Sequence, residues 1–341
     1  MNEPIKVLLT LRFNEEQIKR LRTVSPRLNI VQRSLPEGLD TNDTASLFDG
    51  DEEIFYGTIP PRDLSVAPKL RWAQLHTAGI NHLQSHPVLQ SEIQLTTLSG
   101  VHAVPIGEFT IGMMLALARK LPTMVRKQDQ AEWSEHKWRL YLGQELRDAT
   151  LGIVGYGSIG RHVARIAKHG FGMRVLAMSR RGSRADPGYV EPGTGDPDGT
   201  LPDAWFTREQ LRDLIAQSDF VLIATPLTPE THNLIGATEL RAMKSSAYIL
   251  NIARGGVINE IALARALKEN WIAGAGLDVF EREPLPRDSE LWGLPNLFIA
   301  PHISSATPHY DDRAVNLFAD NLRRYLRGQA LLNLVRREAG Y

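Results

Sequence analysis

Three polar residues stand just beyond apolar runs in the second half of the chain: Arg254, Glu283 and His302. Arg254 follows Ile249-Leu250-Asn251-Ile252-Ala253 and precedes Gly255 and Gly256. Glu283 follows Gly276-Leu277-Asp278-Val279-Phe280-Glu281-Arg282 and precedes Pro284, which stiffens the loop. His302 follows Leu297-Phe298-Ile299-Ala300-Pro301. In doubly wound sheets, ligands bind at the carboxyl ends of strands. An arginine there can grip a carboxylate with its planar guanidinium. An imidazole beside a carboxylate can hold and deliver a proton. If the three converge beside a dinucleotide, the set suits hydride transfer to a 2-oxo acid. Each taken alone also has a plainer reading: a surface charge, a solvated acidic loop, a structural histidine.

A dinucleotide site is written into the middle of the chain. Residues 151–154 form an apolar run that feeds Gly155-Tyr156-Gly157-Ser158-Ile159-Gly160, and helical spacing continues from Arg161 through Ala167. Glycines allow a tight turn and close approach of a pyrophosphate, while a helix N-terminus supplies N–H groups and a positive dipole end. The alternative is a strand-to-helix turn that binds nothing. The next strand, 174–178, ends in Ser179-Arg180-Arg181. An NAD-binding fold places an acid there, about 20 residues past the turn, to hold the ribose 2′-hydroxyl. A hydroxyl followed by two arginines favours a 2′-phosphate instead, so NADP is expected over NAD; otherwise both arginines are solvated loop charges.

The bulk numbers fit such an enzyme and exclude other classes. At 341 residues, two domains are expected. Lys plus Arg equals Asp plus Glu at 39 each, which gives no electrostatic case for nucleic acid or membrane partners. The chain has no cysteine, so disulfides, thiolate metal sites and cysteine nucleophiles are ruled out, and no metal is expected. The N-terminal residues lack a signal-peptide layout, and the longest apolar runs, such as 111–118, are too short to span a bilayer. A soluble, cytoplasmic protein is the expectation.

Strand candidates at 7–9, 54–56, 72–75 and 93–98 alternate with polar stretches, including a helix at 15–21, and imply a small parallel α/β sheet. A helix over 106–121 is apolar on nearly every face and should be buried. Residues 122–148 are polar, carry Trp133 and Trp138, and read as an arm that packs on a partner subunit or as a surface helix with aromatic anchors. A second alternation follows, with strands at 151–155, 174–178, 220–224, 247–251, 273–278 and 297–300. Helices are expected at 158–169, 207–217, 236–243 and 260–269, the pattern of a doubly wound parallel sheet. Residues 182–206, rich in Gly, Pro and Asp, read as a long surface loop. A final amphipathic helix covers 308–326.

In these motifs the chain resembles the D-isomer-specific 2-hydroxyacid dehydrogenase family over nearly its whole length. The matching residues are Gly155 to Gly160, Thr225-Pro226-Leu227-Thr228 with Thr231, Met243-Lys244, Asn251-Ile252-Ala253-Arg254-Gly255, Asp278-Val279-Phe280-Glu281-Arg282-Glu283-Pro284 and Pro301-His302. Their order and separations are those of the family. The resemblance implies Arg254, Glu283 and His302 as the catalytic set. It implies cofactor contacts from Gly155, Gly157, Ser158, Ile159, Gly160, Thr225, Pro226, Thr231, Ile252, Ala253, Asp278 and His302. It implies that backbone amides near Ala78 and Gly79 bind the substrate carboxylate, with Arg254 and His302; His76 and His102 line that site or are structural. It further implies a Rossmann cofactor domain, 105–302, inserted in a smaller flavodoxin-like substrate domain, 1–104 and 303–341, and a homodimer that includes the 122–148 arm.

Three departures bear on function. Ser179-Arg180-Arg181 replaces the acid typical of the family. Ser305 stands where many relatives have glycine close to the cofactor, either adding a hydrogen bond or crowding the ring. The 182–206 loop is longer than usual and lies beside the expected adenosine end. The leading expectation is an NADP- or NAD-dependent reductase of small 2-oxo acids to D-2-hydroxy acids, of the glyoxylate or hydroxypyruvate type. Short-form phosphoglycerate oxidation is the runner-up, since no regulatory domain follows residue 341. A formate dehydrogenase is disfavoured because Glu283 is present. A dinucleotide-sensing binding protein on the same fold is the alternative from another class.

Overall fold

Alternating apolar runs in the first hundred residues form five parallel strands: β1 (Ile5–Leu9), β2 (Leu28–Gln32), β3 (Ile54–Gly57), β4 (Trp72–Leu75) and β5 (Gln94–Thr96). The computed structural model describes residues 3–34, 44–179, 185, 186 and 188–336. The chain divides into two units. One comprises 1–102, 187–191 and 307–341, the other 103–186 and 192–306. Arg180 and Arg181, expected as contacts to the cofactor, lie outside the described residues.

The first unit carries a sheet of order β2-β1-β3-β4-β5, every pair parallel. This is a flavodoxin-like order. Side chains alternate between two buried faces, as a parallel sheet covered on both sides requires. Val7, Leu9, Ile54, Tyr56 and Trp72 pack toward α1 (Glu15–Arg22) and the C-terminal helix Tyr310–Leu326. Leu8, Phe55, Ala73 and Leu75 pack on the opposite face. Asn14 and Gln17 close a capping box at the start of α1. β2 has no counterpart among the strands read from sequence, because Asn29 interrupts its short apolar run.

The second unit begins with α2 (Ala103–Ala118), whose faces are buried almost all round, with Pro105 in its first turn. Short helices α3 (Leu121–Asp129) and α4 (Lys137–Leu140) follow. Then come β6 (Thr150–Val154), α5 (Ser158–Phe171), β7 (Arg174–Met178), β8 (Ala204–Phe206), α6 (Leu211–Gln217) and β9 (Phe220–Ile223). The unit ends with α7 (Ala237–Ala242), β10 (Tyr248–Asn251), α8 (Glu260–Lys268), β11 (Gly274–Leu277) and β12 (Leu297–Ile299). The sheet order is β12-β11-β10-β9-β6-β7-β8, all parallel. β6 is flanked by β7 and β9, so the strand order reverses there and a crevice opens at the carboxyl ends. This is the expected Rossmann arrangement. One expectation needs correcting: the last residues of the 182–206 stretch are an edge strand, β8, paired with β7. Three residues are too few to show an alternation in sequence.

Phe318 of the C-terminal helix is fully buried, its ring 4.7 Å from that of Tyr56 and 5.3 Å from that of Trp72. Truncating a buried phenylalanine costs about 3–5 kcal/mol. Phe318→Ala should therefore lower the urea midpoint of the first unit clearly, while a conservative Phe318→Leu lowers it less; matched midpoints for all three proteins would contradict this packing.

Candidate active site

The three strand-end residues come together because β10, β11 and β12 are neighbours with their carboxyl ends on one edge. Arg254, Glu283 and His302 line a single cavity of about 520 Å³ with Leu227, His232, Gly255, Gly256, Phe280 and Glu281. His302 Nδ1 lies 2.7 Å from Glu283 Oε2. The other carboxylate oxygen, Oε1, accepts from the Phe280 N–H at 2.9 Å. Both oxygens are thereby oriented, and Nε2 of the ring is left as the nitrogen turned away from the carboxylate. Partial burial acts to raise the Glu283 carboxyl. The His302 hydrogen bond, the Phe280 N–H and the charges of His302 and Arg254 outweigh it, so the group is held below its ordinary range.

Each member is fixed by its own local device. Asn251, buried at the end of β10, donates from Nδ2 to the Arg254 carbonyl at 2.8 Å and accepts from the Ala253 N–H at 3.1 Å. This closes the turn that delivers Arg254, whose Nη1 donates to the Ala253 carbonyl at 2.6 Å. Gly255 lets that turn press on the next strand's loop: a Cβ there would sit 1.9 Å from the Phe280 carbonyl carbon and 2.2 Å from the Glu281 nitrogen. No side chain fits, so the backbones bearing Arg254 and Glu283 meet directly. His302 has φ 54°, left-handed for a residue with a Cβ. The loop beyond it is held by Asp278, whose Oδ1 accepts from the Ile303 N–H at 2.8 Å and Oδ2 from the Ser304 N–H at 3.1 Å.

Asp278, expected as a cofactor contact, is fully buried with both oxygens engaged by backbone, so its carboxylate fixes the His302 loop. Thr231 is engaged likewise: its hydroxyl donates to the Pro226 carbonyl and accepts from the Thr228 N–H, both at 2.7 Å, and so holds the 226–231 loop in shape. Asn251, Gly255 and the Phe280 N–H help build the site: the sequence marks all three as members of family motifs, but not the positioning contacts they make.

The glycine turn connects β6 to α5. Gly155 has φ 104°, and a Cβ there would come within 2.7 Å of Ala224 and of the Thr225 nitrogen at the end of β9. Gly160 packs the helix on the strand, where a Cβ would meet the Gly155 carbonyl oxygen at 2.6 Å. At Gly157 nothing lies within 4 Å, and this residue begins α5 without a side-chain cap. Ser158 and Ile159 form the first turn of that helix. An uncapped helix start beside open space is suited to a pyrophosphate. Thr225 and Pro226 follow β9, Ile252 and Ala253 follow β10, and Ser305 follows the Asp278-held loop, so all stand on the same edge of the sheet. Ser179 follows β7 and is half-buried. These residues fit a dinucleotide.

Ala78 and Gly79 belong to the first unit and follow β4, and the space around Gly79 is open. His76 sits in a network of the same unit. Its Nδ1 is 2.7 Å from the Tyr56 hydroxyl and its Nε2 is 3.5 Å from Asp311 Oδ1. Burial pushes the ring's proton affinity down against the pull of Asp311. His102 stacks on Tyr310 at 4.7 Å, and burial, His76 and Arg313 push it down to about 4.

A family model described as D-isomer specific 2-hydroxyacid dehydrogenase, NAD binding domain, matches residues 111–304. Glyoxylate reductase of Thermococcus kodakarensis is 39% identical over 276 residues, covering 80% of this chain and 78% of that protein. A D-isomer specific 2-hydroxyacid dehydrogenase family protein from Aeromonas salmonicida has a solved structure that aligns with a TM-score of 0.75 at 32% identity, over 98% of this chain and all (100%) of that one. A D-isomer specific 2-hydroxyacid dehydrogenase from Xanthobacter autotrophicus, solved with NADPH and MES, aligns with a TM-score of 0.76 at 26% identity over 100% of both chains. The strand-end cavity and the glycine turn therefore sit in a dehydrogenase built for a nicotinamide dinucleotide, and the chain belongs to the D-isomer specific 2-hydroxyacid dehydrogenase family.

Proposed function

We propose that this protein is an NADPH-preferring reductase of small 2-oxo acids, of the glyoxylate or hydroxypyruvate type, with Arg254, Glu283 and His302 as its catalytic residues. The observation that carries the reading is the 2.7 Å His302–Glu283 pair lining one cavity with Arg254. Similarity to a protein named glyoxylate reductase supports the substrate class.

The turn from Gly155 to Gly160 and the ends of β9 and β10 would hold a nicotinamide dinucleotide, which when bound would supply hydride for the substrate carbonyl carbon. Arg254 binds the substrate carboxylate and stabilises negative charge growing on the carbonyl oxygen. His302 releases a proton from Nε2 to that oxygen, since Nδ1 is engaged by Glu283. Glu283 fixes the ring's orientation and stabilises its positive charge before transfer. The family resemblance also assigns backbone donors for a substrate carboxylate to the Ala78–Gly79 loop, where the space around Gly79 is open.

Cofactor preference rests on the absence of a carboxylate at Ser179, on the arginines that follow it in sequence, and on a relative solved with NADPH. The homodimer reading rests on the stretch from α3 onward, which exposes Leu121, Val125, Leu140 and Leu142, with Trp133 and Trp138 each 84% exposed. Apolar area of this kind marks an interaction surface.

Following reduced-cofactor absorbance against glyoxylate, hydroxypyruvate, pyruvate and 3-phosphohydroxypyruvate tests the function, and no turnover with any of them would end it. His302→Ala should bind dinucleotide normally and lose roughly 10²–10⁴-fold in kcat. Arg254→Lys keeps charge but loses the planar fork, so KM for the 2-oxo acid should rise and kcat fall; unchanged constants across the panel would remove Arg254 from the site. Glu283→Gln keeps shape but withdraws negative charge from the ring. Turnover should then fall, and kcat and KM equal to wild type would refute the pairing role. For cofactor choice, NADPH should exceed NADH in kcat/KM by about tenfold, equivalent to about 1.4 kcal/mol. Ser179→Asp with Arg180→Ala should reverse that order by adding repulsion and removing attraction; equal use of both cofactors by both proteins would count against it.

A further inference from the structure

The long segment before β8 is bound to the glycine turn by a buried polar network. Tyr156, the middle residue of Gly155-Tyr156-Gly157, is 4% exposed, as is Asp196; Arg161, in the opening turn of α5, is 3% exposed. The Tyr156 hydroxyl donates to Asp196 Oδ2 at 2.8 Å. That carboxylate also accepts from the Leu201 N–H at 3.1 Å and, through Oδ1, from the Thr200 N–H at 3.0 Å. Arg161 donates from Nη1 to the Asp196 carbonyl at 2.6 Å, and its Nε lies 3.4 Å from Asp186 Oδ2. The guanidinium also covers the Tyr156 ring at 4.8 Å, while Trp205 of β8 meets the ring edge-on at 5.1 Å. One residue along, Gly195 donates its N–H to His162 Nδ1 at 3.3 Å.

Burying a carboxylate and a guanidinium is costly unless both are fully partnered. Here Asp196 takes a hydrogen bond from the turn, and Arg161 of the following helix donates to the segment, so drawing the segment away from the turn would strip hydrogen bonds from both buried side chains. The Tyr156 backbone is pinned from the other direction, since its N–H donates to the Met178 carbonyl at 3.1 Å. Burial and the Asp196 carboxylate hold the phenol well above its ordinary range, so it remains a donor. The turn is thus gripped on its protein side while Gly157 faces open space.

We propose that Tyr156, Asp196 and Arg161 are positioning residues that clamp residues 195–201 onto the glycine turn and hold it in its dinucleotide-binding shape before the dinucleotide arrives. A turn set in advance loses less freedom on binding, so the network contributes to affinity without touching the ligand. The effect concerns the pyrophosphate end, so it applies to NADH and NADPH alike and does not depend on cofactor preference or on substrate.

The test uses Tyr156→Phe, which keeps the ring between Arg161 and Trp205, and Asp196→Asn, which keeps the side chain's shape. Kd for NADH and for NADPH is read by dinucleotide fluorescence without substrate. Each single change should raise both Kd values by roughly three- to tenfold, within what one hydrogen bond to a charged group contributes. The NADPH-to-NADH ratio should stay as in wild type, and kcat of Asp196→Asn at saturating dinucleotide should stay within about twofold. The double variant should be little weaker than Asp196→Asn alone, because the bond that Tyr156→Phe removes is one that Asp196→Asn already weakens. Hydrogen exchange of the 155–160 amides should quicken in each variant without dinucleotide. Unchanged Kd and exchange in folded variants, with only a lower unfolding temperature, would reduce the network to scaffolding and overturn the proposal. So would single effects that multiply in the double variant, or a loss confined to kcat.

Discussion

A parallel sheet covered on both faces leaves its chemistry one place to emerge, the carboxyl ends of its strands. The second unit obeys this constraint throughout. Its central strands are buried to the last residue, and the polar groups that matter begin one to several residues beyond. Parallel pairing puts those ends on one edge, so residues far apart in sequence become neighbours. His302 and Glu283 meet for this reason, and Arg254 lines the same cavity.

Bringing strand ends together is not enough to aim side chains, and here backbone contacts complete the work. Gly255 lets two loops touch main chain to main chain, and Gly155 does the same against the end of β9. Buried carboxylate and amide groups then lock the loops: Asn251 closes the Arg254 turn, and Asp278 holds the two N–H groups after His302. None of these groups needs to meet substrate. They fix the loops that carry Arg254 and His302, the kind of positioning that the proposed proton transfer and carboxylate recognition would demand.

The Tyr156–Asp196–Arg161 network applies the same principle at the cofactor end. A segment that reads as a surface loop is fastened by buried charge to the helix that begins at the glycine turn. The first unit shows a parallel case, with His76 held between Tyr56 and Asp311 just before the Ala78–Gly79 loop. In each unit a residue beside a loop at a strand's carboxyl end is tied into the protein's own hydrogen bonds.

Reading the chain residue by residue finds six of the seven described strands of the second unit's sheet, because apolar runs and glycine placement are local signals. Residues 151–160 specify strand, turn and helix within one short window, and Arg254, Glu283 and His302 stand out by following apolar runs. The family is legible too, through the order of several weak motifs. Folding settles what local signals cannot. The partners of Asp278 and Thr231, Ser304 and Pro226 among them, are set by loop paths and not by spacing. β8 and β2 are too short or too interrupted to show a period, and they become strands only by pairing with a neighbour. Asp196 joins Tyr156 and Arg161 from 40 and 35 residues away. A buried polar network has no pattern along the chain, because its members are chosen by proximity after folding and not by periodicity before it.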